Sequence, residues 1–225
     1  ELVAPSNVPA RGQIRDSNSS ALMAEALDAG AEPVFYGIAP DDEQAIAELV
    51  HRAVLECDFV ISSGGASAGD YDYVTALVRR EGEVLFDRIS MCPGKAITFG
   101  LLGGKPYLGL SGNPAAAYVG FEMLARPAIR KMRGFAEGTR PVQQATLTHG
   151  VKKRQHRRFF DRATVLRDPE TGELLVTEAK TQNSALLGTM QRANCLLRVD
   201  EGPCDLKVGD VVDVVRVDLP EGVVL

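Results

Sequence analysis

The sequence predicts an α/β protein, a doubly wound, mostly parallel sheet followed by a small C-terminal all-β domain, and three observations carry that prediction. Helix-like and strand-like segments alternate from Ser17 to about Ala136. Three glycine-bearing loops leave the ends of strands in that stretch. From about Pro141 onward, short alternating runs separated by turn residues replace the pattern. The change divides the chain into an α/β domain over residues 1–138 and a β-barrel-like domain over residues 139–225.

In chain order, Asp16-Ser17-Asn18 supplies N-cap residues for a helix from about Ser19 to Ala29, with Leu22, Ala26 and Ala29 on one face and Gly30 as its stop. Glu32 to Tyr36 reads as a strand. Asp41 and Asp42 cap or charge-stabilise a helix from Glu43 to Leu55, where Ile46, Leu49, Val50 and Ala53 form an apolar stripe. Phe59-Val60-Ile61 reads as a buried strand running into Ser62-Ser63-Gly64-Gly65-Ala66-Ser67-Ala68-Gly69-Asp70, and a helix from Tyr71 to Arg80 follows at once. Val84 to Met91 is the next strand and ends in Pro93-Gly94-Lys95; Ala96 to Phe99 and Lys105 to Leu110 add two more. Asn113 is placed to cap, and Pro114 to open, a helix through Phe121 and Leu124 that Pro127 kinks or interrupts. The tail offers strands at Gln144 to Thr148, Phe159 to Leu166, Leu174 to Thr177, Cys195 to Val199 and Val211 to Val217.

Composition narrows the class. With 225 residues, 45% hydrophobic and 24% charged, the chain can bury one large core or two small ones, which excludes fibrous, collagen-like and wholly disordered states. Its 25 basic and 30 acidic side chains leave a formal charge of -5, with no global attraction to nucleic acid or anionic membrane. No apolar run approaches the roughly 20 residues of a membrane helix, and no signal-peptide core appears, so a cytoplasmic protein is expected. Cys57, Cys92, Cys195 and Cys204 form no CxxC pair, and His51, His149 and His156 no cluster, so neither structural zinc nor a disulfide framework is expected. Cys92 reads as a small buried filler ahead of a reactive thiol. The chain opens at Glu1 without an initiator Met and is expected to be a piece of something longer.

The chemistry concentrates in the loops. Gly64-Gly65 permits close backbone approach and the next helix points free N–H groups at the same place, which makes Ser63, Gly64, Gly65 and Ser67 candidate anion-binding residues. Asp70 and Asp72 would repel such a ligand unless a divalent cation lay between, which implies magnesium; Asp41 and Asp42 are equally explained as helix-start charges. Lys95 supplies a point charge after Pro93-Gly94, and Ser111-Gly112-Asn113-Pro114 presents a hydroxyl, an amide and free N–H groups. Together these loops describe a pocket for a phosphorylated or oxyanion ligand with magnesium. No serine, histidine and acid arrangement indicates covalent hydrolysis. The basic run Lys152 to Arg158 reads as a solvated loop and strand edge in preference to a nucleic-acid grip.

The motifs DSN, DD, SGGASAGDYDYV, PGK and SGNP, in that order, resemble the MoeA family of molybdopterin molybdenumtransferases, also represented by the E domain of gephyrin. The resemblance covers essentially all 225 residues, the α/β part being similar to the molybdopterin-binding MogA-like domain. It implies that adenylylated molybdopterin and molybdate, with a divalent cation, give molybdenum cofactor and AMP. On that resemblance Asp70 and Asp72 bind the cation or position a water, Asp42 matches the DD motif, and Asp16 lies near the pterin or phosphate pocket. Pro93, Gly94 and Lys95 match a loop receiving molybdate or phosphate, and Gly112, Asn113 and Pro114, with Ser111 before them, a substrate-contacting helix start. A homodimer and contact with other molybdenum-cofactor biosynthesis proteins are implied, with neither nucleic acid nor membrane as partner. Family loops read close to KPGKP and LPGNP; here Cys92, Ala96 and Ser111 replace a lysine and two prolines. Family members also open this domain with a central strand ending in a TGDEL-like motif, of which Glu1-Leu2 resembles only the end, and two further domains precede it, so the chain is expected to be an incomplete enzyme. The alternatives are an adenylyltransferase-like enzyme sharing the α/β domain and a non-catalytic pterin-binding scaffold.

Overall fold

In the computed structural model, which describes residues 1–65 and 73–223, the chain begins with two short parallel strands, β1 (Leu2–Val3) and β2 (Ile14–Arg15). Helix α1 (Asn18–Asp28) follows and turns its Ala26 into the core. The segment expected to be a strand at Glu32 to Tyr36 has no strand assignment. Among the described residues no backbone pairs with it, and Val34 and Phe35 stay 57% and 52% exposed. Helix α2 (Glu43–Glu56) starts at Asp42, whose carboxylate accepts the Ala45 N–H at 2.8 Å.

The first large sheet holds β3 (Val60–Ser63), β4 (Glu83–Arg88), β6 (Ala96–Leu102) and β7 (Lys105–Leu110), in the order β3-β7-β6-β4. Helix α3 (Tyr73–Glu81) leads into β4, and the two-residue β5 (Met91–Cys92) lies between β4 and β6. Only β3 and β7 are parallel; β7 with β6 and β6 with β4 are antiparallel. The mostly parallel, doubly wound sheet is therefore not what these four strands form. The reason is local: Leu102 pairs with Lys105 across Gly103-Gly104, whose φ values of 58° and 77° make a two-residue hairpin turn that leaves no room for a crossover.

After β7 one helical stretch runs through α4 (Pro114–Gly120), a π-helical turn (Phe121–Ala125) and α5 (Arg126–Met132). Pro127 does not break it. A proline ring clashes with the carbonyl four residues back, and the wider turn just before it, where the Arg126 N–H bonds Phe121 O, accommodates the ring.

The remaining strands are β8 (Val142–Leu147), β9 (Val151–Lys153), β10 (Arg158–Arg167), β11 (Leu174–Glu178), β12 (Cys195–Val199), β13 (Cys204–Leu206) and β14 (Val211–Arg216), with the short helix α6 (Gly188–Arg192) before β12. In the order β11-β8-β14-β12-β10 they close through a β11–β10 pairing into a small barrel, with β9 and β13 as a separate two-stranded antiparallel sheet. Strand β5 adds to β10, pairing Met91 with Arg158 and Cys92 with Phe159.

Alternation along β10 builds two cores from one strand. Ala163, Val165 and the partly buried Phe159 pack inside the barrel with Leu147, Val176 and Leu197. Phe160 faces the other way, into a core shared by Leu110, Val119, Phe121, Leu196 and Val215. A third cluster, with Val50, Val54, Leu77 and Tyr107, fixes α2 and α3 on the sheet. Among the described residues no helix is long and apolar enough to cross a membrane.

Candidate functional site

Parallel pairing of β3 with β7, ending at Ser63 opposite Leu110, brings the two following loops together at one sheet edge. The Gly64 N–H donates to Leu110 O at 3.0 Å, and a side chain at Gly112 would meet Gly64 Cα at 3.6 Å. Ser63 Oγ donates to Ser111 O at 3.0 Å. The Asn18 amide, at the first position of α1, donates to Ser63 Oγ at 2.7 Å and to Gly112 O at 2.9 Å. Tyr107 supports the strand end from behind, its hydroxyl donating to Ser62 Oγ at 2.6 Å.

The third loop joins from β5. Gly94 has φ near 100°, which favours glycine, and a Cβ there would meet Met91 Cε at 3.1 Å and Ala116 O at 3.4 Å. That close approach seats Pro93-Gly94-Lys95 against the first turn of α4. Lys95 is exposed, and its carbonyl accepts the Ile89 N–H at 3.1 Å. The structure thus brings Ser63, Gly64, Pro93, Gly94, Ser111, Gly112 and Pro114 onto one rim, with Gly65 exposed at its edge.

Other predicted residues act differently. Asn113 makes no side-chain cap: its N–H donates to Ser111 Oγ at 3.3 Å and its carbonyl receives Ala117. At this helix start the Ala115 N–H is taken instead by Ser184 O, from the barrel side, at 2.9 Å. Asp16 is 5% exposed and accepts the Ser19 N–H at 3.1 Å, which makes it a support of α1. Asp42 is exposed and caps α2 through one carboxylate oxygen. Ser67, Asp70 and Asp72 lie outside the described residues. Among the described residues no group of three His, Cys, Asp or Glu side chains can hold a metal ion.

Two groups that sequence reasoning passed over stand beside this rim. Arg162 is fully buried; its Nη2 donates to Asn183 O at 3.3 Å, while Nη1 finds no acceptor among the described residues. Burial pulls Arg162 below its ordinary value, and the neighbouring Asp161 and Cys92 act against that pull. A buried guanidinium N–H without an acceptor is costly, and it offers a fixed donor to an anion or a water. Ser184 is the second, through the carbonyl that closes α4. The only sequence signal for Arg162 is its two-residue spacing from Phe160, which puts both on the outward face of β10.

The basic run is not uniformly solvated. Lys153 is 2% exposed and donates to Arg157 O at 3.0 Å and to Asp200 O, while Arg157 Nη1 donates to Met91 O at 3.3 Å. Cys92 is half-buried, and burial raises its thiol, so it is a filler. A concavity of about 510 Å³ on the barrel, lined by Thr148, His149, Thr177, Glu178 and Lys180, shares no residue with the rim. Its polar groups bond one another, Thr148 to Thr177 at 2.7 Å and His149 to Glu178 at 3.5 Å, so size alone does not make it the site.

Known proteins agree on the architecture. Residues 1–131 match the family described as probable molybdopterin binding domain, and residues 144–217 match the MoeA C-terminal region, domain IV. The molybdopterin molybdenumtransferase of Staphylococcus aureus strain COL is 32% identical over 216 residues, 96% of this chain and 51% of its own length. That of Nostoc sp. is 44% identical over 142 residues, 61% of this chain and 33% of its own. The crystal structure of a molybdopterin biosynthesis MoeA protein from Pyrococcus horikosii superimposes with a TM-score of 0.79 at 28% identity, covering 96% of this chain and 52% of that one. The chain spans about half the length of the Staphylococcus relative. With the α/β rim and the closed barrel both accounted for, the chain belongs to the MoeA family.

Proposed function

We propose that this chain carries the substrate rim of a molybdopterin molybdenumtransferase, which inserts molybdate into adenylylated molybdopterin and releases AMP. The observation that supports this most is the convergence of the β3, β5 and β7 loops beside a buried Arg162 with an unsatisfied N–H. Backbone groups at Gly64 and Gly112 would approach the phosphates closely, and Lys95 and Arg162 would neutralise oxyanion charge. The chemistry on this reading is positional and electrostatic, with leaving-group charge stabilised by fixed donors.

A divalent cation, magnesium by expectation, belongs to the same proposal and rests on Asp70 and Asp72. The described residues alone do not supply a metal site. The homodimer is carried likewise, and light scattering in solution tests it.

The experiment is AMP release from adenylylated molybdopterin, with molybdate and magnesium each added and withheld, using this chain and a version extended at its amino terminus. Release that needs both additions is the expected result. Ligand binding without release from either version overturns the transferase reading in favour of a pterin-binding scaffold. ATP-dependent transfer of AMP onto molybdopterin would instead make it an adenylyltransferase.

A further inference from the structure

Asn18 makes bonds that its helix does not need. The start of α1 is served by Asp16, which accepts the Ser19 N–H, and Ser17 makes no side-chain cap. Asn18 instead spends both hydrogens of its amide across the rim, one on Ser63 Oγ and one on Gly112 O. Because the Ser63 hydroxyl donates its own hydrogen bond to Ser111 O, the bonds run in one direction: amide, hydroxyl, carbonyl. The two acceptor loops follow different strands, 45 and 94 residues along the chain from Asn18. Gly112 and Asn113 are exposed, and Asn113 anchors nothing through its side chain.

We propose that Asn18 is a positioning residue of the anion groove, setting the spacing between the loop after β3 and the loop after β7. The inference rests on the reading that this rim holds the phosphate of the substrate. An amide with two donors at fixed angle is suited to the task, because it bridges a hydroxyl whose own hydrogen is already given to Ser111 O and a carbonyl that has none to give. Without it, Ser63 keeps its bond to Ser111 but Gly112 O loses its side-chain donor.

The test uses AMP, the proposed product, as probe, with calorimetric affinity, thermal melting and amide hydrogen exchange at Gly64. The wild type is compared with Asn18→Ala, Asn18→Asp, Ser63→Ala and the Asn18→Ala/Ser63→Ala double variant. The expected result is AMP affinity about tenfold weaker in Asn18→Ala, with the double variant no weaker than about the worse single one, because the bonds form one chain. Asn18→Asp keeps the shape but offers only acceptors, and is expected to lose at least as much affinity with melting unchanged. Exchange at Gly64, whose N–H bonds Leu110 O, is expected to quicken about tenfold in Asn18→Ala. Unchanged affinity with a lowered melting temperature would overturn the proposal by making Asn18 an ordinary structural bond. If no version binds AMP, the phosphate reading fails by itself. Exchange then still decides the clasp: quickened exchange supports it, and unchanged exchange overturns it.

Discussion

Asp161 shows how one strand position can carry a pH response. It alternates with Phe160 and Arg162, so it shares the inner face of the barrel with Ala163, and it is 4% exposed. Burial first, and the Glu178 carboxylate second, push it up to about 7, while Arg162 and Lys153 pull the other way; Cys92 on β5 is a further titratable neighbour. A carboxyl raised in the folded state keeps its proton there after the unfolded chain has lost it. Its favourable contribution is therefore whole below about 4 and declines as pH rises toward about 7. Asp161→Asn removes the titration, so the variant is expected to gain on the wild type by a few kcal/mol on going from pH 5 to pH 8. Urea denaturation at the two pH values checks this, and equal differences at both would refute it. The sequence placed Arg162 in the strand Phe159 to Leu166 and Arg158 at the end of the solvated basic run, yet gave no sign that Arg162 would be fully buried. One lies mid-strand against the α/β core and the other at an exposed strand end, and that difference depends on where β5 pairs.

At the scale of elements, the loop after β5 depends on a single missing Cβ. Gly94→Ala would hold an L side chain at φ near 100° and press it on Met91 and the Ala116 carbonyl. A loss of about 1 to 3 kcal/mol is expected in chemical denaturation, with AMP affinity falling as the loop leaves α4. Full stability in this variant would show that the loop is not held there. Elements with strong local signals were legible: the stripe of α2 with its Asp42 cap, and the strand Cys195–Val199, which forms as read. Glu32 to Tyr36 carries the right residue types, but a strand also needs a partner. Strands β9 and β13 are three residues each, too short for periodicity to reveal. The three site loops were legible as glycine motifs. Asn18 was legible only as a helix-start residue of the DSN motif and Ser184 not at all, because long-range hydrogen bonds leave no spacing in a sequence.

Across the whole molecule, a buried ionic network holds distant parts together. Arg126, with no exposed surface, meets Glu122 and Glu25 at 2.9 Å, Asp28 at 2.9 Å and Glu221 at 3.2 Å. Arg140 meets Asp28 at 2.6 Å and Glu122 at 3.3 Å, and donates to Leu219 O at 3.0 Å. The network thereby joins α1, the π-helical turn, α5 and the final residues. Glu122→Ala leaves two buried guanidinium groups short of their central partner, and is expected to cost about 3 to 5 kcal/mol. A urea midpoint within error of wild type would refute that role. Burial, with a hydrogen bond to Glu122, also pushes Glu25 up to about 8, so its contribution declines between about 4.5 and 8, in the same sense as that of Asp161.

The pairing of β5 with β10 limits how the two halves of this chain could have been exchanged with relatives during evolution. A barrel grafted from another protein would have to offer backbone at the register of Arg158 and Phe159 to receive Met91 and Cys92. It would also have to bring a carbonyl to the Ala115 N–H. A donor lacking either match would fold as a barrel and still leave the neighbouring loop unseated. The two halves, each with an interior of its own, are thus matched to one another through backbone register as well as through side chains.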